Sequence, residues 1–216
     1  MPQRSLCPIC SKRRAERFCP AQGEKICAVC CGTERERTLN CPPDCSYLIA
    51  AHRYEQEHRK PLEPEEMPFA GTDISRETVY EQQELVSALG QALARFAGEQ
   101  PSVTDSDALA AIIALGETYR TLVSGIYYEK RPDPPLQAAL YAALGNAIQE
   151  FKSQQGARGG LAGPRDSEAF QVLVYLARIY RGSTNGRPRS RLFLNYLRGQ
   201  YAPAPDVADA PRIVVP

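Results

Sequence analysis

Tryptophan is absent from the 216 residues, and there are only two histidines and two methionines. So few imidazoles leave little for acid–base catalysis near neutral pH, where histidine is the side chain that ordinarily titrates. Charge of one sign is not in excess: 26 Lys+Arg face 25 Asp+Glu, a formal net charge of +1. That balance argues against a globally basic nucleic-acid coat and against an acidic disordered tail. No long apolar run occurs, so no transmembrane helix is expected. Cys7 arrives before an apolar stretch of signal-peptide length could form, so no secretory signal is expected, and Ile213-Val214-Val215-Pro216 is no prenylation box. The most telling absence is local: residues 46–216 contain no cysteine.

All eight cysteines therefore lie between Cys7 and Cys45. Without a signal the expected compartment is the reducing cytoplasm, where clustered cysteines more often bind metal than form disulfides. The spacing is Cys7-x2-Cys10-x8-Cys19-x7-Cys27-x2-Cys30-Cys31-x9-Cys41-x3-Cys45. A Cys-x-x-Cys turn brings two thiolates to one ion, and structural zinc takes four ligands in a tetrahedron. Eight thiolates divide into two such sites. Cys30 and Cys31 are neighbours whose side chains point to different sides, so they are expected to serve different ions. The turns at Cys7/Cys10 and Cys27/Cys30 then make one site. Cys19, Cys31, Cys41 and Cys45 make the other. Because Cys19 falls between the two halves of the first site, the sites interleave as a cross-brace.

A cross-brace suits this segment, because residues 1–45 have almost no large aliphatic side chains and need staples to fold. Their eight cations (Arg4, Lys12, Arg13, Arg14, Arg17, Lys25, Arg35, Arg37) outnumber their acids by three. Eight thiolates and two Zn²⁺ bring the segment to about −1, so these cations offset thiolate charge and need not signal nucleic acid. Iron–sulfur ligation is chemically possible, but paired Cys-x-x-Cys turns favour zinc. A thioredoxin-like role has no βαβ context. His52, seven residues after Cys45, is either an exposed helix residue or a replacement for a cysteine ligand.

These residues resemble the B-box-type zinc finger, the cross-brace module of tripartite-motif proteins. The densest match is Phe18-Cys19-Pro20-Ala21-Gln22-Gly23-Glu24-Lys25-Ile26-Cys27-Ala28-Val29-Cys30, with Cys7 and Cys10 as the opening ligand pair. The resemblance implies two zinc ions, with Cys7, Cys10, Cys27 and Cys30 on one. Gln22 stands where that family has its fourth ligand, with Cys31 as the available substitute, and Cys41 and Cys45 stand in place of a closing histidine pair. No RING pattern precedes the module and no long heptad repeat follows it, so ubiquitin-ligase function does not carry over.

Beyond the cysteines the chain reads as helical. Tyr47 to Arg59 makes a helix with a charged second half, and Pro61, Pro64 and Pro68 mark residues 60–73 as a linker. Val86, Leu89, Leu93 and Phe96 share a face of a helix from Ser75 to about Ala97. Thr104 with Asp107 is a helix-start signal, followed by a stripe of Leu109, Ile112, Gly116, Tyr119, Val123 and Ile126. Tyr127 to Pro132 closes that helix. Leu136, Leu140, Ala143, Ala147 and Phe151 give a third stripe, and Gly156 to Gly163 a connection. Phe170, Val174, Ala177 and Tyr180 give a fourth, on a helix from about Ser167 to Arg181, and Ser190 to Arg198 a short last helix. Leu-Gly pairs at 89–90, 115–116 and 144–145 mark close approach rather than a tetratricopeptide repeat.

The expected fold class is mainly α: a small N-terminal two-zinc cross-brace followed by an α-helical bundle of about five helices. The expected organisation is 1–45 zinc module, 46–73 helix and linker, 74–200 helical domain, and 201–216 flexible Pro-rich tail. Residues 169–205 hold no acid and six arginines (Arg178, Arg181, Arg187, Arg189, Arg191, Arg198) with tyrosines and Phe193 interleaved. Such a face either covers apolar neighbours and pairs with acids such as Glu63 to Glu66, or binds phosphates and stacks bases. No nucleophile with a base in context is found. The expected function is a non-enzymatic, zinc-binding interaction or adaptor protein with a protein partner and no membrane association. The alternatives are a nucleic-acid-binding factor using Arg178, Arg181, Arg187, Arg189 and Arg191, and a thiol/zinc redox sensor.

Overall fold

The computed structural model describes residues 5–157 and 163–201. It begins with a two-stranded antiparallel hairpin, β1 (Arg17–Cys19) and β2 (Glu24–Ile26), in which Phe18 pairs with Lys25 and Cys19 with Glu24. The turn closes where the Gln22 and Gly23 N–H groups both donate to the Cys19 carbonyl, and Gly23 takes the positive φ of 73° that such a tight turn requires. Helix α1 (Ala28–Glu34) follows, and α2 (Ser46–Glu57) starts directly after Cys45. The small core of this region consists of Cys7, Cys19, Ile26, Cys27, Cys30 and Leu39, with Cys10, Cys31 and Cys41 packed against it. Only two large aliphatic residues contribute, which is the shortage the composition implies.

A 3-10 turn at Pro64–Glu66 leads to α3 (Arg76–Glu81), α4 (Gln83–Glu99), α5 (Asp105–Val123), α6 (Pro135–Ala157), α7 (Asp166–Ser183) and α8 (Leu192–Tyr201). Helix α5 packs on α6 and α7, and α4 on α6 and α8. One continuous core runs through them, including Leu85, Leu89, Leu93, Ile112, Leu144, Ile148, Leu173, Tyr180 and Leu194. Local capping chemistry sets the starts. Ser75 Oγ accepts from the Thr78 N–H, and Thr104 and Asp107 form a reciprocal capping box. Among the described residues no helix is long and apolar enough to cross a membrane.

Several sequence expectations are corrected. The helix expected over 75–97 is broken at Gln82, because α3 packs on α7 while α4 turns onto α6 and α8; among the described residues six helices rather than about five follow residue 74. The α5 stripe is Ala108, Ala111, Ile112, Leu115, Gly116 and Tyr119, with Val123 and Ile126 exposed. That helix ends at Ser124, where Gly125 (φ 78°) turns the chain, so Tyr127 to Pro132 lie beyond it. In α6 the buried face is Ala138, Leu140, Tyr141, Leu144 and Ile148. The helix is rotated relative to the expected stripe because α4 and α5 press on it from two sides. The last helix runs to Tyr201 rather than Arg198. The tail beyond Tyr201 and the middle of the glycine connection lie outside the described residues.

The linker expected at 60–73 is pinned at its far end. The Arg178 guanidinium donates to the carbonyls of Pro68, Phe69 and Thr72, the shortest contact being 2.7 Å. Phe69 has a φ of 56° and its ring seats on Gly116, where a Cβ would come within 2.6 Å of it. Gly90 seats the Tyr201 ring in the same manner. Two of the three Leu-Gly pairs thus mark close approach, of aromatic rings rather than of helices, and Gly145 faces open space.

Candidate metal centre

The first cysteine pair sits on a knuckle. The Cys7 N–H donates to the Arg13 carbonyl and the Ser11 N–H to the Cys7 carbonyl, with Ser11 at a φ of 52°. That reversal turns the backbone N–H groups of Lys12 and Arg13 onto the Cys10 sulfur. The second pair opens α1: Cys27 is its N-cap, and its Sγ accepts from the Cys30 N–H at 3.3 Å. The hairpin between the two knuckles folds one onto the other. As a result the ligand atoms of Cys7, Cys10, Cys27 and Cys30 all lie within 4.8 Å of one another, three of the residues buried.

This geometry fits a tetrahedral thiolate site. Zinc–sulfur bonds of about 2.3 Å imply sulfur–sulfur edges of about 3.8 Å, and Cys10 Sγ and Cys27 Sγ stand 4.0 Å apart. The electrostatics divide within the set. The Lys12 and Arg13 N–H groups draw Cys10 down to about 6, outweighing burial. Burial pushes Cys7 up, but backbone N–H groups at Cys27, Cys10 and Ile9 together bring it below the ordinary thiol value. Cys30 is pushed up to about 12, first by burial and then by the neighbouring sulfurs of Cys27, Cys10 and Cys7. Four sulfurs packed this closely cannot all carry charge without a cation, which is the condition a bound metal relieves.

The remaining cysteines line a single hollow. Cys19 ends β1, Cys31 lies on α1, and Cys41 and Cys45 flank the Pro42-Pro43-Asp44 turn before α2. All four border a cavity of about 10 Å³ together with Phe18, Arg35 and Tyr47, room for an ion or about one water and for nothing organic. Burial raises the Cys41 thiol above its ordinary value, the Glu36 backbone N–H opposes this, and the charges of Cys19 and Cys45 add to the rise. Arg35 borders this hollow, and its buried Nε has no hydrogen-bond partner among the described residues. Among the described residues only the first four cysteines close to within 4.8 Å.

Neither histidine joins a cysteine set. His52 is not the exposed helix residue of one expectation: its Nε2 donates to the Glu36 carboxylate at 2.9 Å. His58 Nδ1 lies against its own helix at the Tyr54 carbonyl, 2.9 Å away.

Three of the six arginines of the arginine-rich segment, Arg178, Arg187 and Arg191, are engaged with the rest of the chain. Besides Arg178, the Arg187 Nη1 donates to the carbonyls of Arg35 (2.7 Å) and Gly32 (3.3 Å), and its Nη2 bridges to Glu55 at 3.0 Å. Arg191 donates to the carbonyls of Ala97 and Pro101 and so covers the open end of α4. Arg189 and Arg198 remain exposed. The acid paired with Arg187 is Glu55 rather than Glu63 to Glu66; Glu63 and Glu66 cap their own 3-10 turn.

Sequence reasoning did not find Glu36. It is 3% exposed, its φ is +53°, and its carboxylate accepts from His52 and from Asn185 Nδ2 at 2.7 Å. Its only sequence signal is an acid amid a cation-rich stretch, which by itself reads as a solvated surface.

No family model matches the chain, and neither a curated protein nor a solved structure is similar enough to count as a match.

Proposed function

We propose that this protein is a non-enzymatic interaction or adaptor protein whose N-terminal part is a B-box-type cross-brace held by two structural zinc ions. The observation that carries this reading is the approach of Cys7, Cys10, Cys27 and Cys30, contributed by two knuckles, to within 4.8 Å. Cys19, Cys31, Cys41 and Cys45 are the ligands of the second ion. Four thiolates on each ion leave no open position for water or substrate, so the metals shape a surface and do not activate a nucleophile. Every cysteine belongs to one of the sets, and none is left for catalysis.

A protein partner is favoured over nucleic acid because Arg178, Arg187 and Arg191 spend their guanidiniums on backbone carbonyls of this chain. Ile126, Tyr127 and Tyr128, consecutive and each more than half exposed, offer apolar surface for a partner. The test is native mass spectrometry followed by chelation with far-ultraviolet circular dichroism and limited proteolysis. Two zincs per chain are expected, and a strong chelator is expected to unfold the first 45 residues while most helical signal survives. A protease-resistant N-terminal region after complete metal removal overturns the structural-metal reading. Nucleic-acid binding that weakens steeply with salt, with a slope flattened by Arg181→Ala and Arg189→Ala, overturns the protein-partner reading.

A further inference from the structure

The N-terminal module meets the helical bundle chiefly at Arg35 and Glu36, two adjacent residues that also border the second cysteine set, with the Gly32 carbonyl adding a longer contact to Arg187. The Glu36 backbone N–H faces the Cys41 sulfur. Its carbonyl accepts from the Arg189 N–H at 2.9 Å, and its carboxylate accepts from Asn185. Arg35 borders the hollow, pairs with Glu55 at 2.8 Å through Nη2, and offers its carbonyl to Arg187. The 185–189 segment between α7 and α8 thus bonds both to the short turn that precedes Cys41 and to Glu55 of α2. The left-handed backbone of Glu36 is a conformation that a non-glycine residue keeps only when its surroundings over-determine it. Here the surroundings act on both sides: the Cys41 sulfur faces the N–H, and Asn185, Arg189 and His52 bind the carbonyl and carboxylate.

We propose that metal at Cys19, Cys31, Cys41 and Cys45 latches the segment between α7 and α8 onto the N-terminal module, so that loss of that ion releases the segment. The inference rests on the two-metal reading above. With the ion in place, the Cys41 sulfur is fixed and holds the Glu36 turn in its left-handed form. The Arg35 Nε supplies a positive N–H beside the four thiolates, a charge-assisted contact that its present lack of a partner leaves open. Without the ion the turn loses one of its two sets of constraints and relaxes toward ordinary backbone angles. Release also reshapes a cleft of about 680 Å³ that the segment walls through Asn185 and Arg187, opposite His52, Glu55 and Arg59 of the α2 region and Phe193 and Tyr196 of α8. Metal occupancy at one end of the chain thereby sets the form of a surface built largely from the other end.

The test is amide hydrogen exchange read by mass spectrometry on the full chain, with metal content measured on the same samples. In the two-zinc protein the 184–191 peptide is expected to be protected. Cys41→Ser with Cys45→Ser is expected to lose one zinc and to speed exchange in that peptide at least about fivefold, the lower end of ordinary couplings between sites, with α4 to α6 unchanged. Retention of two zincs by this variant overturns the two-metal reading. Loss of one zinc with exchange in 184–191 within twofold of the parent overturns the latch and leaves the two-metal reading standing. Since the cysteine variant alters the module itself, Asn185→Ala with Arg187→Ala probes the latch from its other side. Coupling of binding free energies is reciprocal, so this variant is expected to keep two zincs but to hold one of them at least about fivefold more weakly in equilibrium competition with a chelator. An unchanged affinity overturns the latch.

Discussion

Replacing Asp105 tests how the bundle holds the 184–194 segment in place. Asp105 is 1% exposed at the start of α5. Its carboxylate accepts from Ser190 Oγ at 2.9 Å, Thr184 Oγ1 at 3.1 Å, and the Phe193 and Leu194 N–H groups at 3.2 Å each. It caps α8 from another helix and ties down both ends of the α7–α8 connection. Asp105→Ala leaves four donors without their acceptor. A buried donor stranded in this way costs about 1–3 kcal/mol. The two hydroxyls can rotate toward other acceptors, whereas the two N–H groups at the start of α8 cannot. The expected loss is therefore about 4 kcal/mol, among the largest single-substitution effects. For a chain of this size that corresponds to a fall in Tm of about 8–16 °C. Urea unfolding followed at 222 nm measures it, with an unchanged m-value as the condition for comparison. Asp105→Asn keeps one acceptor oxygen but sets an NH2 among donors, and is expected to lose about half as much. If Asp105→Ala unfolds within about 1 kcal/mol of the parent, the carboxylate is not the anchor its four bonds suggest.

Further expectations follow from other sites. Tyr180 is fully buried, its hydroxyl close to the Asp105 carboxylate but without a well-formed hydrogen bond among the described residues, so Tyr180→Phe is expected to change urea stability by no more than about 1 kcal/mol; a loss above about 2 kcal/mol would show a strong bond from that hydroxyl. Gly116→Ala and Gly145→Ala are expected to differ in sign. The first drives a Cβ into the Phe69 ring and costs about 1–3 kcal/mol, while the second meets open space and gains up to about 1 kcal/mol of helix propensity; equal thermal shifts would refute the seat. Metal loading at the first site is expected to release protons at pH 7, because Cys30, pushed up to about 12, must give one up, whereas Cys10, drawn down to about 6, is already mostly thiolate. Affinity therefore falls as pH drops and falls more steeply below about 6, where Cys10 protonates as well, and calorimetry in buffers of different ionisation enthalpy should count fewer than four protons at pH 7.

The grouping of Cys7, Cys10, Cys27 and Cys30 was legible in the sequence because it rests on short-range geometry. A Cys-x-x-Cys turn closes on itself, and the adjacency of Cys30 and Cys31 forces their sulfurs apart wherever the segment lies. The Thr104–Asp107 pair was legible for the same reason, since a cap is a contact across three residues. Helical periodicity found every long helix, but it did not fix which stripe of α6 would face inward, because α4 and α5 contest that helix from two sides. The break at Gln82 escaped it as well, since the apolar period runs on while the two halves pack on different neighbours.

The long-range roles of the polar residues lay beyond sequence reasoning. Arg178 reaches back to carbonyls of residues 68–72, and Arg187 to those of Gly32 and Arg35. Sequence alone leaves such a guanidinium equally suited to phosphate, carboxylate or carbonyl, because all three offer lone pairs to the same planar donors. Asp105 and Glu36 read as ordinary surface acids until distant segments close over them. Sequence alone determined which four cysteines come together and the helical class, because spacing, caps and apolar period act within a few residues. Only the tertiary structure decided where the charges go, since a buried charge is tolerable only beside partners that the rest of the chain must bring to it.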